Sequence, residues 1–150
     1  MSAFAGNGLS GLVSSGLQEA LASTVFRTGD ADLDRLLETA REKFLNRSLD
    51  IRKEGLEKLW DAWERLKTIE KGKDKSVQVK AILDRSATEP VLRERLEIEA
   101  RELNFIGNNL MIRHTEVGKP PIGESAQVDY LFHRMFAMIR LLLRSTHRGG

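Results

Sequence analysis

The chain has 150 residues, 41% hydrophobic and 31% charged, a balance that fits one globular domain with a single core and excludes a disordered chain. Acids and bases nearly cancel at a net charge of +2, which argues against a general polyanion binder but allows a local basic patch. It has no cysteine, so disulfides and thiolate metal sites are excluded and a cytoplasmic location is expected.

Residues Met1 to Ala22 are rich in Gly, Ser and Ala, and lack the basic start and continuous apolar block of a secretory signal. They read as most of a flexible leader over 1–25, with one weak helix near Leu17 to Ala22, ahead of a single domain over 26–148. Asp30 is placed to cap a helix in which Leu33, Leu36, Leu37, Ala40 and Phe44 share one face. After Asn46-Arg47-Ser48 a second helix carries the stripe Leu49, Leu56, Leu59, Trp60, Trp63 and Leu66. The two tryptophans, three apart in a wholly apolar stripe, read as core. Lys71-Gly72-Lys73-Asp74-Lys75 breaks the pattern, and a short helix is predicted from about Ser76 to Leu83.

Thr88-Glu89-Pro90 opens a long helix, with proline where its missing N–H does little harm. Leu92, Leu96, Leu103, Ile106 and Leu110 form one seam; Val91, Ile98, Phe105 and Ile112 form a second beside it. Two seams predict a helix buried on a broad face, central to the bundle. His114 to Glu124 holds two of the three prolines and reads as a loop. Ser125 is expected to cap a last helix to about Ser145, with Val128, Leu131, Phe132, Met135, Ile139 and Leu142 inward. The most apolar run, Met135 to Leu143, is too short to cross a membrane and is interrupted by Arg140. With no convincing strand, the prediction is an all-α bundle of four to five helices.

Polar chemistry concentrates at Asn108-Asn109-Leu110-Met111-Ile112-Arg113-His114-Thr115-Glu116. Arg113 offers a planar fork of donors suited to phosphate oxygens, and His114 titrates near neutrality. Asn108 and Asn109 can orient a substrate or end the helix as residues tolerant of a left-handed backbone. The structural alternative is that Arg113 and His114 only offset the negative end of the helix dipole.

Asn108-Asn109 with His114, the run Tyr130-Leu131-Phe132-His133-Arg134-Met135-Phe136, and the all-helical layout resemble the HEPN superfamily. The resemblance is to the C-terminal domains of bacterial abortive-infection and similar phage-defence proteins. It implies a helical bundle that dimerises so that Arg–His pairs from two subunits face one cleft. There RNA is cut without metal, the His activating the ribose 2′-hydroxyl and the Arg steadying the phosphate. Carried onto this chain, His114 matches the family His and Asn109 its Asn. Asn108 falls where the family Arg stands, and Arg113 is the cation beside His114.

Tyr130, His133, Arg140 and Arg144 recur at helical spacing on the last helix, with Arg134 at the edge. They form either a basic cleft with one stacking aromatic or a solvated face paired with acids. Glu99 holds a core-like position between Leu96 and Leu103 and needs a base; Arg134, Arg140 or Arg113 would serve. The Lys71-Lys73-Lys75 segment is a solvated tip or a grip on a nucleic-acid backbone. Gly118-Lys119-Pro120-Pro121 lacks the frame of a phosphate loop, and no metal-ligand spacing occurs, so no metal or cofactor is expected.

Two functions are therefore expected. In the first, a HEPN-like endoribonuclease in a toxin-type or defence setting uses Arg113, His114 and Asn109 for catalysis. Asn108, Lys119, Tyr130, His133 and Arg134 contact RNA, and the partners are a second copy and an antitoxin or other protein. In the second, the bundle has lost the family Arg and serves as a non-catalytic dimerisation or protein-interaction module.

Overall fold

The computed structural model describes residues 19, 21–69, 75–110, 118 and 122–148. In chain order they form α1 (Ala31–Phe44), α2 (Leu49–Leu66), α3 (Lys75–Ser86), α4 (Pro90–Asn109) and α5 (Ser125–Ser145). No strand occurs among the described residues, and the architecture is an all-α bundle.

Local chemistry sets the helix starts. Asp30 caps α1 by accepting from the Leu33 N–H at 2.8 Å, and the same carboxylate receives Arg65 Nε of α2 at 3.2 Å. Glu89 caps α4 through the N–H groups of Val91 and Leu92, with Pro90 in the first turn. Ser125 does not cap α5: Glu124 holds that position without a side-chain bond. The Ser125 hydroxyl instead accepts from Arg52 Nη1 at 2.7 Å, a demand imposed by a guanidinium tucked against the bundle.

The stripes of α1 and α2 meet each other, and Gly55 permits the close approach; a Cβ there would lie 2.8 Å from the Phe44 nitrogen. Trp60 and Trp63 are buried in that core. α5 packs on α2 and α3, and a column of rings joins it to the end of α1 and to the residues before α1. Phe44 stacks on Phe132 at 3.8 Å, and Phe136 meets Phe26 edge-on at 6.5 Å. The last part of the segment read as a leader also joins the core. Leu21 is buried, and Arg41 donates to the carbonyls of Leu21 and Thr24.

The expectation that the helix after Pro90 is central is corrected. α4 buries only Ala100, Leu103 and Gly107, whereas α5 buries eight residues and takes the central place. α4 sits on the bundle through its Gly107 side: a Cβ there would fall 2.2 Å from the Trp60 ring, so the indole lies directly on the helix backbone. That seat turns the second seam outward. Val91, Ile98 and Phe105 are 63%, 38% and 60% exposed, and Leu92 is exposed as well. Ile112 lies outside the described residues. Two adjacent apolar rows on one helix do not say which of them faces the core; a glycine opposite a tryptophan does.

Candidate nucleic-acid interface

Arg113, His114 and Lys119 lie outside the described residues, as do Lys71 and Lys73. The remaining sequence-predicted site residues occupy the end of α4 and the first turns of α5.

α4 ends at Asn109 because Leu110 turns to an extended conformation while its N–H still reaches the Ile106 carbonyl at 3.0 Å. Asn108 and Asn109 are both exposed. The Asn109 side-chain amide donates to the Phe105 carbonyl at 2.9 Å, one turn back, and so ties off a carbonyl of the last turn. Its amide oxygen has room to accept from an incoming group.

Leu110 lines a hollow of about 440 Å³ together with Ile122, Ala126, Gln127, Tyr130 and Leu131. The residue after the end of α4 and the start of α5 thus share one depression; Asn108 and Asn109 precede Leu110 in the chain and are not among the residues that line it. The Tyr130 ring is largely exposed, so its face is accessible for stacking.

The other two residues are engaged elsewhere: Arg134 follows the alternative of pairing with an acid, and His133 follows neither. Arg134 makes a two-pronged bond to Glu99, Nε at 2.8 Å and Nη2 at 2.7 Å, and its guanidinium sits 5.9 Å from the centre of the Tyr130 ring. The Glu99 hydrogen bonds hold the Arg134 pKa far above its ordinary value. Of the three bases able to serve Glu99, Arg134 does so because the α4–α5 contact brings them together; the pairing neutralises the charge a phosphate would use.

His133 does not lie on a solvated face. It is half-buried, edge-on to Phe44 at 5.4 Å, and its Nδ1 is buried with no hydrogen-bond partner among the described residues. Burial first, and then the Arg52 charge, lower its pKa below the ordinary 6.5. A neutral, inward-facing imidazole is poorly suited to grip RNA.

Arg52 is a functional-looking residue that pattern reading missed. It pairs with Asp129, donates to Ser125, and lies 5.3 Å from the centre of the Phe44 ring. The signal was present: Ser125, Asp129 and His133 recur every four residues and share one face of α5. They form a polar seam toward α2 that is exposed at Ser125 and closes inward to His133.

At the far end of α5, Arg140, Arg144 and Arg148 line a smaller hollow of about 60 Å³ with Phe26 and Phe136. Arg148 donates to the Thr28 carbonyl at 2.7 Å and ties the last turn to the residues before α1. Roughly one and a half turns of helix separate Arg140 from Arg134, so these arginines do not complete the first depression. Among the described residues no group of three His, Asp or Glu stands close enough to hold a metal ion, and no helix is long and apolar enough to cross a membrane. No family model, curated protein or solved structure matches the chain.

Proposed function

We propose that this chain is a HEPN-like helical domain that binds RNA and cleaves it without metal, in a bacterial defence or toxin-type setting. The observation that supports this most is the depression shared by the end of α4 and the start of α5. It is large enough for a base, it has an exposed Tyr130 on its wall, and both chain segments that flank residues 111–121 contribute to it. In this reading His114 is the acid or base at the ribose 2′-hydroxyl. Arg113 steadies the phosphate, and Asn109 orients it with its amide. The 2′-oxygen attacks phosphorus, the 5′-oxygen leaves with a proton, and a cyclic phosphate remains. Asn108, Lys119 and Tyr130 line the RNA path, while Arg134 and His133 support the wall rather than touch the strand.

The test is incubation of the purified protein and of His114→Ala with mixed RNA in chelator. Cleavage by the first alone, leaving cyclic phosphate ends, is the expected result. Intact RNA with a folded, unmodified protein overturns the catalytic part. RNA binding is tested separately with Tyr130→Ala, which is expected to weaken binding roughly tenfold, from the loss of one stacked base.

A second reading, the non-catalytic interaction module, is favoured by a specific observation. Arg134, whose guanidinium sits beside the Tyr130 ring, is bound by Glu99, and the family Arg position holds Asn108. Under that reading the folded protein leaves RNA intact and Tyr130→Ala changes nothing.

A further inference from the structure

From Tyr130 to its end the chain carries no acid, yet it brings Arg140, Arg144 and Arg148 to one small hollow. Arg140 and Arg144, four apart, share one face of α5. Arg148 lies past the helix end and is turned back. His147 takes a φ of 59°, in the left-handed region, so that its N–H reaches the Arg144 carbonyl at 3.1 Å and the Arg148 N–H reaches the Leu143 carbonyl at 2.6 Å. That conformation is uncommon and costly for a residue other than glycine. Here it brings a third arginine to the wall, where the Thr28 carbonyl fixes its guanidinium. The opposite wall is Thr24, Val25 and Phe26. Arg41 holds it by donating to the Thr24 carbonyl, and the Phe26 ring rests edge-on against Phe136.

None of the residues that line the hollow is an acid. Arg140 and Arg144 make no ion pair or side-chain hydrogen bond among the described residues, whereas Arg52, Arg65, Arg93 and Arg134 are each matched to a carboxylate. The negative end of α5 accounts for Arg144, which stands in the last turn. It does not account for Arg140, because the effect fades within one turn.

The geometry points to an anion site at this hollow, which holds a phosphate monoester group between Arg140 and Arg144, with Arg148 as its fixed third wall. A guanidinium offers a planar fork that fits phosphate oxygens, and a monoester carries close to two negative charges at neutral pH. A diester inside a strand offers about half that charge. Volume sets the class of ligand. The hollow measures about 60 Å³. A water takes up about 30 Å³, so there is room for roughly two waters or one tetrahedral oxyanion, and for neither base nor sugar. The remainder of a ligand stays outside. Inorganic phosphate, a nucleoside monophosphate and the 5′ end of an RNA share this chemistry. The site goes beyond the RNA reading and does not rest on it, since Arg140 lies roughly 15 Å from Tyr130 along α5, at 1.5 Å of rise per residue.

Calorimetric titration of the whole protein with inorganic phosphate, at an ionic strength fixed with chloride, tests the site. One equivalent binds saturably, with a dissociation constant in the millimolar range or tighter. Arg144→Gln, at an exposed position, weakens binding about tenfold. Val25→Glu, also exposed, abolishes it by placing a carboxylate on the wall without touching an arginine. Arg95→Gln, an exposed arginine on α4, leaves it unchanged. Each variant keeps the far-ultraviolet spectrum of the wild type. No saturable binding below about 20 mM phosphate overturns the inference. So does wild-type affinity in Arg144→Gln or Val25→Glu, or an equal loss in Arg95→Gln. Two further titrations identify the source of the group: adenosine 5′-monophosphate, and a short RNA with and without its 5′ phosphate. A gain from the 5′ phosphate that Arg144→Gln removes assigns an RNA end. Binding of the small phosphates without that gain assigns a free ligand. Tyr130→Ala leaves phosphate binding unchanged, so a protein that binds phosphate but no RNA ends the RNA reading alone.

Discussion

Glu99 decides what Arg134 can do. The pair is about one-quarter to one-third exposed, so the bond is worth no more than about 1 kcal/mol of stability. Its larger effect is on charge. Glu99→Gln leaves the shape intact and releases a cation beside Tyr130. If RNA lies in the depression, this variant binds it more tightly than wild type and with a steeper salt dependence, by about one phosphate contact. Equal affinity and slope in a filter-binding salt titration would remove Arg134 from any RNA path. His133 makes a different statement. Its imidazole is held below the ordinary 6.5 in the folded protein, so the unfolded chain takes up the proton first as pH falls. The stability it permits is whole above about pH 6.5 and declines as pH drops through that value toward the lower folded pKa. Melting temperatures between about pH 7.5 and pH 5.5 should fall less steeply in His133→Leu than in wild type; parallel curves would mean that another group carries the decline.

At the scale of the element, what was legible was local. The cap at Asp30 and the stripes of α1, α2 and α5 follow from a few neighbouring residues and a period of 3.6. The orientation of α4 was not legible in that way, because its two apolar rows satisfy the same pattern. Gly107 resolves it, since only hydrogen at that position lets the Trp60 ring rest on the helix. Gly107→Ala would gain roughly 1 kcal/mol of helix propensity in isolation. Here the added methyl meets a buried indole, and overpacking costs about 1–3 kcal/mol. The net expectation is destabilisation, read as a lower urea midpoint. A midpoint at or above wild type would show that α4 can shift outward without loss. The candidate site divides along the same line. The need of Glu99 for a base was visible in the pattern of α4, but the choice among three arginines depended on how α4 lies against α5.

Across the whole molecule, the helices are not held alike. α1 and α5 share the ring column through Phe44, Phe132 and Phe136, and α2 packs on both, whereas α4 rests on the outside with one face still apolar. Its seat is formed largely by two indoles: Trp60 lies on the Gly107 backbone, and Trp63 donates its N–H to the Asn104 side chain at 2.9 Å. These are the only tryptophans in the chain. The protein therefore carries its own optical reporter. Fluorescence emission registers the seat of α4 together with the α1–α2 core around it, while ellipticity registers all the helices, and an emission change that precedes the loss of most ellipticity is the expected sign of α4 departing first.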